Sequence, residues 1–545
     1  MTARNGGAAV VETRAAHGVD TVFGIPGTHN LELYRHLAPC GIRAVTPRHE
    51  QGAGYAAEGY ARVGGRPGVV LTTSGPGLTN AMTAAATAYA ESQPVLILSP
   101  GVPSGAEGAD LGLLHETKDS SGAMDRLVRW SRRVGSPEEA ADAVTEAFAA
   151  FRGTRPRPVH VEVPLDVLER AWGGSPWVGA VTAAPEPDAA DVRRAATLLA
   201  GARRPLVIAG GGAADAAAEV RALAERLGAP VATTVNGKGV LDESHPLAVG
   251  AAVRLRALQE AAAGSDALLV VGSELGDADL WEGRIAAGAV IRCDIDPGQL
   301  HKNCPADVAL LGDAAVTLRA LLEALPAHPT NGAFVGTYPT NAPLVGTRGP
   351  GSARTGELRD ACRAEAREGA GTHEEINAAV RAALPADAVL AGDSSQVTYL
   401  GSVHFFDVPA PRRFCYTPGY ATLGYGLPAA IGASLARPQA PVAVLLGDGA
   451  FMFSVQELAT AVDLRLPLPI VVVDNGGYRE IRDQQETRGI PPVGVDLPVP
   501  DLAALARAFG ALGVRATDPG ALTALVADAL SADRPTLIHL KTRTE

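Results

Sequence analysis

The sequence predicts an α/β protein built from three doubly wound parallel-sheet domains. Two observations carry that reading. Short runs rich in β-branched residues or leucine alternate along the chain with alanine-rich amphipathic stretches. Each run ends in Gly, Pro, Ser or Asn before the helical pattern begins, which is the alternation of open parallel sheets with helices on both faces. The second observation is a pair of Gly- and Pro-rich breaks, around 172–190 and 326–355, which divide the 545 residues into three segments of similar length.

The expected strands include Thr21–Phe23, Gly68–Thr72, Val95–Leu98, Leu206–Ala209, Ala267–Val271, Ala388–Leu390, Val442–Leu446 and Ile470–Val473. The expected domains are 1–175, 188–326 and 356–545, with a linker at 327–355. In that linker PTNGAFVGT (329–337) is nearly repeated as PTNAPLVGT (339–347), a two-copy repeat too short for a solenoid. Its Pro and Gly content suits a connector.

Composition excludes several functions. The formal net charge is -12, so the clustered Lys and Arg of a nucleic-acid or anionic-membrane binder are not expected. No apolar run approaches the ~20 residues of a membrane span. The five scattered cysteines form no CxxC spacing and fit buried thiols in a reducing compartment. With no apolar signal-peptide core near the start, we expect a cytoplasmic protein.

The most informative stretch is 441–478. Val442–Leu446 reads as a strand ending in Gly447-Asp448-Gly449-Ala450, Ser454–Asp463 has helical spacing, and the next strand ends in Asp474-Asn475-Gly476-Gly477-Tyr478. A right-handed crossover makes the two strands parallel, so Asp448 and Asn475 emerge at the same carboxyl edge, where open α/β sheets bind ligands. A carboxylate, an amide oxygen and a backbone carbonyl suit a hard cation such as Mg2+. The flanking glycines let backbone N–H groups approach a phosphate, and the start of the following helix favours an anion. For GDG alone an ordinary βα turn would be the better reading.

This pattern resembles the thiamine-diphosphate motif, GDG followed by NN, with Asp474 in place of the usual first Asn. The resemblance implies that Asp448, Asn475 and the Gly477 carbonyl hold Mg2+. A second match lies in the N-terminal third: Gly24-Ile-Pro-Gly27, then RHEQGAGYAAEGYAR at 48–62, then Thr73-Ser-Gly-Pro-Gly77. In this order they are similar to the pyrimidine-binding domain of the acetolactate synthase and pyruvate decarboxylase superfamily. By that resemblance Glu50, at a strand–helix junction, activates the cofactor by sharing a proton with its pyrimidine ring, and Pro26, Gly27 and Thr73 lie beside the cofactor.

The stretch Tyr420–Ala430, YATLGYGLPAA, is similar to the family's GxMGxGLPAAIGA. It implies that Leu423 wedges between the cofactor rings and that the Ala421 carbonyl accepts from the amino group. Gly392-Asp-Ser-Ser-Gln396 aligns with the diphosphate loop, making Ser394, Ser395 and Gln396 candidate donors. Gly447, Gly449, Ala450 and Tyr478 complete the expected cofactor contacts. In the superfamily Glu50 and the diphosphate site come from different subunits, which implies a homodimer or a dimer of dimers.

Within the acetolactate synthase-like branch, the chain is similar to 5-guanidino-2-oxopentanoate decarboxylases. The segments that carry this are 23–37, 45–62, 113–116, 155–168 and 474–496. The implied activity is non-oxidative decarboxylation of a 2-oxo acid to an aldehyde through an enamine intermediate. The rival is carboligation of that intermediate to a second carbonyl compound. Against the rival, Gln484 stands where acetolactate synthases carry a Trp, nine residues beyond the metal Asn, and the chain ends soon after its last strand. Gly210-Gly-Gly212 reads as a tight βα turn, and no FAD is expected. No segment shows a full GxGxxG with a distant acidic residue, which argues against a nicotinamide-dependent dehydrogenase. Intact Glu50, Asp448 and Asn475 argue against a non-catalytic homologue.

His29 and His115 are the candidate proton-transfer residues, although a lone His is more often structural. Thr28, Glu480 and Gln484 are the candidate substrate contacts. A Glu480 carboxylate suits a guanidinium, or it pairs with Arg479 or Arg482 at the surface.

Overall fold

The computed structural model describes residues 4–180, 183–326 and 350–542. The repeat at 329–347 and most of the expected linker lie outside the described residues. Among the described residues, eighteen strands form three six-stranded sheets. In the first, β1 (Thr21–Gly24), β2 (Arg43–Val45), β3 (Gly68–Leu71), β4 (Val95–Gly101), β5 (Ser131–Arg133) and β6 (Val159–Pro164) take the order β2-β1-β3-β4-β6-β5. In the second, β7 (Pro205–Ala209), β8 (Val231–Thr233), β9 (Ala248–Ala251), β10 (Ala267–Val271), β11 (Val290–Asp294) and β12 (Val308–Leu311) take the order β12-β11-β10-β7-β8-β9. The third contains β13 (Val389–Gly392), β14 (Phe414–Cys415), β15 (Val442–Gly447), β16 (Pro469–Asp474), β17 (Leu512–Ala516) and β18 (Thr536–Lys541), ordered β14-β13-β15-β16-β18-β17.

The pairings are parallel throughout the first two sheets and along β13-β15-β16-β18-β17. This is the expected fold class, and each strand named from the sequence is present to within a few residues. Strands such as β3, β10 and β16 are buried along their whole length, because helices cover both faces.

The chain forms two compact units. One comprises Met1–Ala183, Ala388–Ser395 and Cys415–Glu545 and contains the first and third sheets. The other comprises Ala184–Asp387 and Gln396–Phe414, around the second sheet. Helix Pro350–Ala370 takes in residues 350–355 of the expected linker. Its Cys362 and Ala366 pack with Leu206, Ile208 and Val270 of the second sheet, whereas the sequence reading assigned residues from 356 onward to the third segment.

Inside the first unit, helix Glu50–Gly64 crosses helix Gly426–Ala436 at backbone contact distance. A Cβ on Gly59 would lie 2.3 Å from the Ala429 carbonyl oxygen, and one on Gly432 would lie 1.9 Å from that of Ala56. Only glycine permits this approach. Beside the crossing, Glu58, Arg62 and Glu91 form a buried ionic cluster, with the Tyr425 hydroxyl donating to Glu58. Opposing charges offset part of the desolvation that burial imposes on each.

Candidate active site

In open α/β sheets ligands sit where the strand order reverses. In the first sheet that point lies between β1 and β3, and the candidates Pro26, Gly27, Thr28, His29 and Thr73 follow those two strands. Gly27 lies against Thr73, whose Oγ1 is buried without a hydrogen-bond partner among the described residues. Glu50, expected at a strand–helix junction, is the first residue of helix Glu50–Gly64, with His49 as the N-cap accepting from Gln51 N at 3.1 Å. Glu50 is buried at 7% exposure. Asn80 Nδ2, from the first turns of helix Pro76–Ala90, donates to Glu50 Oε2 at 2.9 Å.

Two functional neighbours of Glu50 were missed in the sequence. Asn80 carried a weak signal, because it lies just beyond the Thr73–Gly77 motif, on the helix that the motif opens. The other, Glu457, carried none. Its fully buried carboxylate accepts from Arg48 N at 3.1 Å and from Thr460 Oγ1 at 2.7 Å. It thus holds the turn before Glu50 from 409 residues away in the chain.

The third sheet reverses between β13 and β15. Gly392 ends β13, and Ser394 and Ser395 follow it. Gly447 N donates to Ser395 Oγ at 3.0 Å, and Ser394 Oγ is buried without a partner among the described residues. Gln396 belongs to the other compact unit. Asp393, also missed, accepts from Gly426 N at 2.8 Å and from Gly424 N at 3.2 Å. Burial pushes its carboxyl up to about 7 against those bonds. Asp393 thereby pins the loop that carries Ala421 and Leu423. Ala421 holds φ +51, a left-handed conformation that costs an alanine about 1 kcal/mol. Leu423 is half-buried, and the neighbouring Thr422 Oγ1 meets Tyr55 OH at 2.7 Å.

Asp448 and Asn475 follow β15 and β16, which pair in parallel with Gly447 opposite Val473. They therefore share one sheet edge. The helical stretch expected at Ser454–Asp463 is present as helix Glu457–Asp463, and a separate short helix, Asp448–Met452, precedes it, with Ser454 N bonding back to Phe451 O. Asp448 is buried at 2% exposure; burial, then the charge of Asp474, raises its pKa, while the N–H groups of Gly449, Asn475 and Gly477 oppose the shift. Asp474, at the departure from the family motif, meets His539 Nε2 at 2.9 Å and accepts from Gly476 N at 3.1 Å. Gly477 holds φ +124, and Tyr478 sets its ring against Gly449. Ala450 is buried one residue on.

These residues fit Mg2+ and a diphosphate. The Asp448 carboxylate, raised by burial and by the charge of Asp474, is relieved by a cation, and the orphaned Ser394 hydroxyl suits a phosphate oxygen. No group of three His, Cys, Asp or Glu side chains suited to a metal exists among the described residues. A cation here would accordingly draw on amide and backbone oxygens and on the diphosphate itself.

Glu480 and Gln484 share one face of helix Arg479–Thr487, with Gln484 Nε2 donating to Glu480 at 3.0 Å. Arg479 and Arg482 pair with Asp483, Glu486 and Asp496. His29 Nδ1 lies 2.6 Å from Ser74 Oγ, and His115 Nδ1 lies 3.3 Å from the same oxygen. Burial, then the neighbouring His115, lowers the pKa of His29. No helix among the described residues is long and apolar enough to cross a membrane.

Comparison with known proteins agrees with this arrangement. The family model for the N-terminal TPP-binding domain of thiamine pyrophosphate enzymes matches residues 4–124, the central-domain model 192–321 and the C-terminal TPP-binding model 394–540. The chain is 44% identical to the probable 2-ketoarginine decarboxylase AruI of Pseudomonas aeruginosa, over 92% of this chain and 88% of that protein. It is 34% identical to the acetolactate synthase isozyme 2 large subunit of Escherichia coli, over 98% and 95%. It is also 34% identical to the acetolactate synthase large subunit of Parasynechococcus marenigrum, over 99% and 88%. With all three domain models matched in order along one chain, the protein belongs to the thiamine pyrophosphate enzyme family.

Proposed function

We propose that the protein is a thiamine-diphosphate- and Mg2+-dependent decarboxylase that converts a guanidino-bearing 2-oxo acid to an aldehyde. The observation that carries the reaction class is the similarity to the 2-ketoarginine decarboxylase along nearly the whole chain, together with the buried Glu50 and Asp448 at two sheet edges. When bound, the cofactor supplies the nucleophilic carbon and the electron sink.

The chain's own residues prepare that chemistry. Glu50, held by Asn80 and by the turn that Glu457 anchors, presents a carboxyl for proton sharing. Asp448, Asn475 and the Gly477 carbonyl would hold the cation, and Ser394, Ser395 and Gln396 the diphosphate. Leu423 would set the bend of the cofactor from the loop pinned by Asp393. Glu480 would meet the guanidinium, from the helix face it shares with Gln484. The active assembly is a homodimer or dimer of dimers, in which Glu50 serves the diphosphate site of a second copy. The protein acts in the cytoplasm.

Carboligation is the second reading, favoured by the acetolactate synthase relatives. Both are tested by turnover of pyruvate, branched, aromatic and guanidino-bearing 2-oxo acids, with products identified by mass spectrometry. The expected result is aldehyde from the guanidino acid, reduced about 10²–10⁴-fold in Glu50→Gln. Acyloin as the main product would move the protein to the carboligases.

A further inference from the structure

His29, Ser74 and His115 converge from three separate pieces of the chain. His29 comes from the turn after β1, Ser74 from the turn after β3, and His115 from the loop beyond β4. The two rings stand edge to face with centroids 5.1 Å apart. Ser74 is buried and the rings are half-buried. Neither ring's Nε2 makes a hydrogen bond among the described residues. The backbone forces this closeness: a Cβ on Gly75, at φ +55, would lie 2.5 Å from the His115 carbonyl oxygen, and His115 itself holds φ +62.

A hydroxyl has one proton to donate. Between two Nδ1 atoms it donates to one and accepts N–H from the other. The first ring then carries its proton on Nε2, and the second ring leaves its Nε2 bare. The two imidazoles are locked into opposite roles, one donor and one acceptor.

We propose that Ser74 couples His29 and His115 into a proton relay. A proton taken up at Nε2 of one ring moves that ring's Nδ1 proton onto Ser74 Oγ. Ser74 passes its own proton to Nδ1 of the other ring, whose Nε2 proton is delivered. One proton enters, one leaves, and only N–H and O–H bonds change. Decarboxylation of a 2-oxo acid to an aldehyde takes up one proton per turnover: RCOCO2⁻ + H⁺ gives RCHO + CO2. The destination of the relayed proton rests on the decarboxylase reading; the hydrogen-bonded chain does not.

The electrostatics agree. Burial, and then the neighbouring His115, lowers the pKa of His29. The nearby carboxylates are engaged elsewhere: Glu32 with Arg35 and Asn5, and Glu116 with the N–H groups of Leu111 and Leu113.

The test has two readouts on the full chain. The first is 15N NMR of histidine-labelled protein without cofactor, assigned with His29→Gln and His115→Gln. Coupled rings show opposite or exchanging tautomers. In Ser74→Ala both should revert to the Nε2–H form that free imidazole prefers, and Ser74→Thr should restore the coupling. Rings whose tautomers ignore Ser74→Ala would overturn the relay. The second readout is kinetic. Ser74→Ala should lower kcat about 10–100-fold with little change in KM and shift the kcat pH profile, with recovery in Ser74→Thr. A coupled pair with unchanged kcat in Ser74→Ala would also overturn it. If no 2-oxo acid is turned over while the tautomers are coupled, the decarboxylase reading fails and the coupling stands.

Discussion

The first and third sheets share one strand order, and the second sheet has another; the three points of reversal hold very different chemistry. In the first sheet the reversal gathers Thr73, Ser74 and His29, and in the third Ser394, Ser395 and Asp448. All but His29 carry a hydroxyl or a carboxylate, and two of the hydroxyls are buried without partners among the described residues. In the second sheet the reversal lies between β7 and β10, and glycine meets glycine there. Gly210 N donates to Val271 O at 2.8 Å and Gly212 N to Gly272 O at 3.0 Å. A Cβ on Gly212 would come within 2.9 Å of Gly272 Cα. The N–H groups of Gly210 and Gly212 are therefore committed to the end of β10 and the Gly272 that follows it. Fold class and strand order thus provide a crevice; the residues at its edge decide whether it holds a polar ligand.

The sharpest way to break this comparison is to remove the third sheet's carboxylate. Asp448→Ala should weaken Mg2+-dependent cofactor binding by at least about 100-fold by calorimetry, since even supporting residues of metal sites contribute about 10–100-fold. Gly212→Ala, at the second sheet's reversal, should leave that affinity unchanged while lowering stability by about 1–3 kcal/mol in denaturant unfolding. A large loss of cofactor affinity in Gly212→Ala would mean that the second crevice is not inert.

A comparable stability effect is expected on the acid side, within the first sheet. His160 is fully buried between Ser99 Oγ at 2.8 Å and Ser131 Oγ at 2.7 Å, and burial holds its pKa down to about 3. The unfolded chain takes up a proton near pH 6.5 that the folded chain refuses. The group's contribution is therefore present above that pH and is lost progressively as pH falls toward 3. His160→Asn should flatten the decline of stability between pH 6 and 4; an unchanged slope would place the acid sensitivity elsewhere. The smallest effect is expected from Glu480→Gln on its solvent-facing helix. The preference for guanidino-bearing over neutral 2-oxo acids should fall by about 5-fold in kcat/KM, as for an ion pair worth about 1 kcal/mol.

The contrast also separates what was legible from what was not. Val442–Gly447 and Pro469–Asp474 were readable as buried strands, and the crossover rule put Asp448 and Asn475 on one edge. Glu50 was readable at a strand–helix junction, because the strand before it and the Ala- and Gly-rich helical pattern after it are local patterns. The short helix Asp448–Met452 was not, since the Gly447-Asp448-Gly449 that opens it reads as a turn. Nor was the packing of helix Pro350–Ala370 with the second sheet, because its surface is charged and its anchoring residues are few.

By itself, the sequence determined the alternation of strand and helix, the turn chemistry that exposes Glu50, Asp448 and Asn475 at element ends, and the family motifs. These depend on residue period and on neighbours a few positions apart. Only the tertiary structure decided the strand orders, and with them which distant groups meet. Glu457 reaches the turn before Glu50, Asp393 holds the loop of Leu423, His539 meets Asp474, and Ser74 stands between two histidines. Such contacts join residues up to hundreds of positions apart. They follow from sheet order and from glycine-mediated helix crossing, which no local pattern encodes.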